Sequence, residues 1–243
     1  MLPFLLIVAA VGVDRLLLSE RWPLVDPVRS RWQTWRPLTI GYVRSAPATY
    51  VYLAVLFLTS WILQTSSSRV ADALLLERST NLHHLAHDPL RVLLSSAFWV
   101  GSLRDWLVWV VLLSVFVAPV ERWIGTTRTV LVFVIGHIGA TLITAAGLWV
   151  ALHADMVESS VTNARDVGAS YGFAAVAAVL AYRLSGRRRL IYAGALIAFV
   201  GTILALNHNF TYWGHLVALA IGFACYPLVR SRGGVRRVRP VSV

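Results

Sequence analysis

Lysine is absent from this chain, so all 22 of its basic side chains are arginine. We read that absence as the coding bias of a GC-rich bacterial genome rather than as chemistry. Cysteine occurs once, at Cys225, inside an apolar run. A lone thiol forms no internal disulfide, so Cys225 serves as a small buried residue and says nothing about the redox compartment. Charge is sparse as well, at 14% of 243 residues, against 58% hydrophobic residues and a mean hydropathy of +0.69. A globular core of this size hides far less apolar surface than that, and the excess has to face lipid.

What charge there is has a pattern. The net charge of +11 would suggest nucleic acid in a soluble protein. Here the arginines sit in short runs between apolar stretches, where they set orientation and meet anionic head groups, which argues against nucleic acid as a partner. The apolar stretches predict six membrane spans over 46–65, 103–120, 129–152, 167–184, 190–206 and 210–229. Arginines precede the first span and follow the second, fourth and sixth, so both termini are expected on the cytoplasmic side of the plasma (bacterial inner) membrane. The long segment 66–102, the acidic loop 153–166 and the turn 207–209 are then expected outside. Residues 1–45 are read as a cytoplasmic segment with an interfacial stretch over 2–13, a seventh crossing being the alternative. The basic tail 231–243 is read as disordered, and no oligomeric state follows from the sequence.

Two polar positions fall inside spans. Asp166-Val-Gly168-Ala169-Ser170-Tyr171-Gly172 puts a serine about one turn inside the outer end of the fourth. A glycine-rich helix start offers backbone N–H groups to a developing oxyanion, though Ser and Gly are equally ordinary packing residues of membrane helices. The sixth span carries Gly214-His215, with Ala218 and Gly222 below it. An ionisable group in hydrocarbon is expensive unless partnered, which makes His215 a candidate general base for Ser170 at similar depth. Gly172, Gly214, Ala218 and Gly222 are small enough to let the two helices approach.

These residues resemble the rhomboid family of intramembrane serine proteases, in its divergent bacterial (actinobacterial-type) rhomboid-like branch. Gly168-Ala-Ser170-Tyr171-Gly172 is similar to the Gly-x-Ser-Gly nucleophile motif, and Gly214-His215 with Ala218 to the base motif on the sixth helix. Val120-Glu121-Arg122-Trp-Ile-Gly125 is similar to a structural Val-Glu-x-x-x-Gly. Asp88-Pro-Leu-Arg91 through Phe98 resembles the membrane-lying loop after the first helix. The resemblance implies an all-α polytopic protein with a six-helix core over 46–230. It also implies Ser170 as nucleophile, His215 as base, backbone support from Gly168, Ala169 and Tyr171, structural roles for Glu121, Gly125 and Arg91, a transmembrane protein as substrate, and no cofactor or metal. The sequence departs from the pattern where Asp105 and Trp109 stand for the family's oxyanion-binding His and Asn. It departs again at Trp99, which stands for another His, and at Ala174, which stands for the Tyr that packs on the base. A rhomboid-like protein that binds membrane clients without cleaving them is therefore the alternative function.

Three further readings come from the residues. His83, His84 and His87 would present imidazoles to a metal if helical, or lie on a wet amphipathic helix at the surface. His137 is placed toward the cytoplasmic half of the third span as a structural hydrogen-bonding residue. Glu121 is expected to pair with Arg122 and Arg128.

Overall fold

The computed structural model describes residues 11–19, 26–158, 166–207 and 210–230. The expectations for 2–10, most of 159–166, 208–209 and the tail lie outside these. The described elements are helical, with no strand among them. The chain divides into two compact units, Met1–Ser45 and Ala46–Val243.

In the first unit, α1 (Asp26–Arg44) follows a helical stretch over 11–18. Asp14 accepts hydrogen bonds from Arg36 Nε at 2.6 Å and Trp32 Nε1 at 3.0 Å. The Arg36 guanidinium holds the Asp14 carboxyl below its ordinary value.

The second unit opens with α2 (Pro47–Thr65). The segment expected outside the membrane folds into α3 (Ser68–Glu77), α4 (Leu82–His87), α5 (Pro89–Ser95) and a 3-10 turn, Ser96–Phe98. Ser67, Asn81 and Asp88 cap these three helices by accepting backbone N–H bonds, and Pro89 stands in the first turn of α5, where its missing N–H costs nothing. Arg91 pairs with Glu77 and, at 3.9 Å, with Asp88, joining α3 to α5. Two imidazoles of α4 each turn one nitrogen, Nδ1, to backbone, His84 to Ser79 O and His87 to His83 O. No cluster of three potential metal ligands forms among the described residues.

Next come α6 (Leu103–Ile124), α7 (Thr126–His153), α8 (Ser170–Leu180, with a 3-10 turn Ala181–Arg183), α9 (Gly186–Asn207), α10 (Phe210–Ala224) and α11 (Tyr226–Arg230). Helix α6 widens to a π-turn at Leu113–Val117. Pro119 follows directly; its ring crowds the carbonyl four residues back, and the wider turn makes room. Pro227 likewise offers no N–H to the Phe223 carbonyl, so the span predicted over 210–229 breaks after Ala224. The Tyr182 hydroxyl bonds the freed oxygen at 2.7 Å.

Four helices, α2, α6, α7 and α9, are long and apolar enough to cross a membrane, and the chain is an all-α multi-pass membrane protein. Helix α8 is different. Its 11 residues rise only about 16 Å, yet Tyr171, Gly172 and the run Ala174 to Val179 are all buried. Protein rather than lipid surrounds it, so its backbone can begin and end inside the bundle. The predicted span from 167 starts late because Gly168, at φ +127°, holds a conformation that L side chains rarely adopt.

Small residues bring α7 and α10 onto α8. A Cβ on Gly136 would fall 2.2 Å from Ala175 Cβ, and one on Gly222 would fall 2.2 Å from the Ala175 carbonyl oxygen. The second obstacle is backbone and cannot rotate away. Gly222→Ala should therefore destabilise the fold by about 1–3 kcal/mol, measurable as a lower melting temperature in detergent. An unchanged melting temperature would mean the helices are not this close.

Candidate functional site

Helix α8 begins at Ser170, and no side chain caps it, since Ala169 occupies the cap position. Helices α3 to α5 have capping side chains, and so does α6, whose Ser102 hydroxyl accepts Asp105 N–H at 3.1 Å and donates to the Asp105 carboxylate at 2.8 Å. The first N–H groups of α8 thus have no capping acceptor. Helix α2 is capped by Glu121: its two oxygens accept from Ala48 N, Thr49 N, Thr49 Oγ1 and Thr126 Oγ1 at 2.7–2.9 Å. The expected arginine pairing is corrected by these contacts, because backbone and hydroxyl groups supply all four donors. A buried carboxylate at a helix N-terminus is matched by the helix dipole and needs no counter-ion. Gly125, at φ +89°, then turns the chain from α6 into α7.

The entrance to α8 is held from two sides. Gly168 N–H donates to Ser96 O at 3.0 Å. Ser96 Oγ in turn lies 3.1 Å from His137 Nε2, which also contacts Leu93 O at 3.1 Å. His137 therefore reaches, through one serine, the residue two before Ser170. These are hydrogen bonds of the structural kind expected for His137, and the 89–98 segment supplies them. On the other side, Asp166 N–H donates to Ser79 Oγ at 2.7 Å, while Asp166 O accepts from Thr80 N at 2.9 Å and Thr80 Oγ1 at 3.0 Å.

His215 stands on α10. Its Nδ1 lies 2.8 Å from Thr211 O; a carbonyl only accepts, so Nδ1 carries the proton and Nε2 keeps its lone pair. The residue that touches this imidazole is Tyr171. Its ring meets His215 edge-on, with centroids 5.0 Å apart at 74°, and lies over Gly214, where a Cβ would fall 2.4 Å from Tyr171 Cζ. Ser170, the neighbour of Tyr171, is partly exposed and makes no hydrogen bond to His215 among those of the described residues. Gly172 packs on Phe133, and Ala218 is fully buried beside Tyr171 and Ala174. Asp105 is exposed in its cap, and Trp109 packs edge-on against Phe173 at 5.5 Å. Trp99 contributes a carbonyl near Gly168 and lies beneath the Arg78 guanidinium.

Sequence reasoning missed two features. Tyr171 stood there only as a substitution in the nucleophile motif, whereas its ring packs on the imidazole where Ala174 offers none; the glycine before His215 was the available signal. Asp166 had no assigned role. Its Oδ2 accepts the Tyr171 hydroxyl at 3.2 Å. Burial pushes the Asp166 carboxyl up to about 6, against the opposing hydrogen bonds from Tyr171 and Thr80. Between about pH 4 and 6 the folded chain then binds more protons than the unfolded one, so stability falls as pH rises through that window. A rise from 3.8 to about 6 corresponds to at most about 3 kcal/mol. Melting temperatures at pH 4.5, 5.5 and 7 should show this slope in the native chain and a flatter one in Asp166→Asn; equal slopes would refute it.

A cavity of about 330 Å³ lies elsewhere, among Tyr52, Leu93, Leu113, Glu121, Phe133 and His137, and neither Ser170 nor His215 lines it. It is nearly all apolar, whereas the polar groups described above gather at the start of α8.

No curated protein matches the chain, and no solved structure does. A family described as rhomboid-like protein matches residues 41–235, a stretch holding α2 to α11 and every site residue described above. With α2 to α11, the entrance to α8 and His215 all inside the matched stretch, the chain belongs to the rhomboid-like protein family.

Proposed function

We propose that the protein is an intramembrane serine peptidase that cleaves transmembrane protein substrates. The observation that carries this reading is the pairing of a helix start at Ser170 without a side-chain cap with a His215 whose Nδ1 is bound to a carbonyl and whose Nε2 has no hydrogen-bond partner among the described residues. The mechanism requires the Ser170 side chain to turn toward His215, to which it makes no hydrogen bond among the described residues. Ser170 Oγ attacks the peptide carbonyl while His215 Nε2 takes its proton. Backbone N–H groups at the start of α8 receive the oxyanion. The imidazolium returns the proton to the leaving amine, and water repeats the sequence on the acyl-enzyme. The arginine runs orient both termini to the cytoplasm of a cell whose plasma membrane holds the chain, with anionic lipid heads against them.

Labelling with a fluorophosphonate probe in detergent tests the nucleophile. The native chain should form an adduct at Ser170 and Ser170→Ala should form none; a native chain in its folded state that stays unlabelled defeats the reading. A second reading, client binding without cleavage, is favoured by one observation. Asp105 is engaged in a helix cap and Trp109 in ring packing, so neither supplies an oxyanion donor. Under that reading Ser170→Ala leaves partner co-purification unchanged.

Orientation has its own test. In a Cys225→Ala background, cysteines at Gly186 and Ser231 should be labelled from the cytoplasm and one at Ser159 from outside. Labelling of Ser159 and Gly186 from one side would remove the six-span arrangement.

A further inference from the structure

We propose that Asp166 is a positioning residue for His215, acting through the Tyr171 side chain; the inference rests on the reading of Ser170 and His215 as nucleophile and base. Each link is a contact already described. The Asp166 backbone is clamped by Ser79 and Thr80, so its carboxylate is a fixed acceptor rather than a mobile one. That carboxylate holds the Tyr171 hydroxyl at 3.2 Å. The Tyr171 ring, 3% exposed and wedged over Gly214, then meets the imidazole edge-on.

On its other side His215 meets Tyr212, with ring centroids 5.9 Å apart, and its Nδ1 is tied to Thr211 O. A general base works only if its lone pair points consistently at the nucleophile, and the carbonyl bond alone leaves the ring free to rock about it. Tyr171 blocks that rocking, and Asp166 blocks the movement of Tyr171. The Tyr171 hydroxyl also meets the Thr211 side chain on α10; without the carboxylate it is held by that partner alone, and the ring loses the anchor that fixes it from outside α10. Dyad chemistry needs no acid in direct contact with the base; here a carboxylate one tyrosine away performs the orienting task that an adjacent acid performs in a triad.

The experiment uses the full chain, ¹⁵N-labelled at histidine, in lipid nanodiscs. Two readouts are taken on native, Tyr171→Phe, Asp166→Ala and Asp166→Asn: the imidazole ¹⁵N pattern of His215, and the rate of fluorophosphonate labelling at Ser170. The native chain should show a single Nδ1–H tautomer. Tyr171→Phe and Asp166→Ala should average that pattern and slow labelling by about 10-fold or more, the typical cost of losing a group that orients a reacting side chain. Asp166→Asn keeps an acceptor oxygen in place and should recover to within about threefold of native.

A merely structural role for Asp166 lowers the melting temperature and leaves the tautomer as it was; that outcome, or native labelling rates in both Tyr171→Phe and Asp166→Ala, overturns the proposal. If the native chain does not label, the peptidase reading fails by itself, and the tautomer pattern alone decides whether Asp166 positions His215. If Asp166→Ala does not fold, Tyr171→Phe, which deletes a single oxygen, decides it.

Discussion

Ser170→Ala and His215→Ala should each abolish cleavage of a model transmembrane substrate in proteoliposomes, with losses on the order of 10⁴- to 10⁶-fold, and the double variant should be no slower than either single one. The reason is that the nucleophile and base act as one unit: an unactivated serine hydroxyl is a poor nucleophile, and an imidazole without a nucleophile has nothing to deprotonate. Additive losses would mean that the two residues serve separate purposes, for which packing of α8 on α10 is the available candidate. Equal cleavage by the native chain and Ser170→Ala would end the peptidase reading and leave client binding. Asp105→His and Trp109→Asn, which would restore the side-chain donors of the family pattern, each sacrifice a contact in this fold. The first dismantles the reciprocal cap with Ser102, and the second empties the contact with Phe173.

The second large effect concerns stability. Glu121→Ala should cost about 3–5 kcal/mol, since each buried donor left unsatisfied costs about 1–3 kcal/mol and local relaxation recovers part of the sum. Four donors converge on this carboxylate, and Glu121 is 2% exposed. Its removal leaves two α2 N–H groups and two hydroxyls without the acceptor they share. Reversible unfolding in mixed micelles measures the loss. Glu121→Gln keeps one acceptor oxygen but brings an NH₂ against donors, so it should lose a large part of the same stability. A change below about 1 kcal/mol in Glu121→Ala would show that α2 is capped by something else.

The membrane architecture was legible in the sequence because it depends on composition over windows of about 20 residues. Apolar runs and the arginines between them need no tertiary information, since lipid excludes charge whatever the neighbours are. The spans over 46–65, 103–120, 129–152 and 190–206 all correspond to long helices, differing from them by a few residues at the ends. The family resemblance also rested on local strings, Gly168 to Gly172 and Glu121 to Gly125, and the match over 41–235 bears it out.

What windows of sequence do not carry is who faces whom. Helix α8 is as apolar as its neighbours, yet it is short and enclosed, and only the close approaches at Gly136 and Gly222 explain why it need not span the bilayer. Glu121 next to Arg122 invites an ion pair on paper. The fold instead delivers the N-terminus of α2, more than 70 residues away in the chain, because an uncapped helix end inside a membrane protein must find an acceptor. Tyr171 and Asp166 were in view as letters of a motif. Their roles depend on the side-chain direction at the first turn of α8 and on a segment from 79 to 81 that clamps the chain. Composition and spacing thus determined that this is a multi-pass chain carrying a serine and a histidine in its predicted spans. Only tertiary packing decided that Tyr171 lies against His215 with its hydroxyl on Asp166, because hydrogen bonds and ring contacts are set by distances across helices rather than along one.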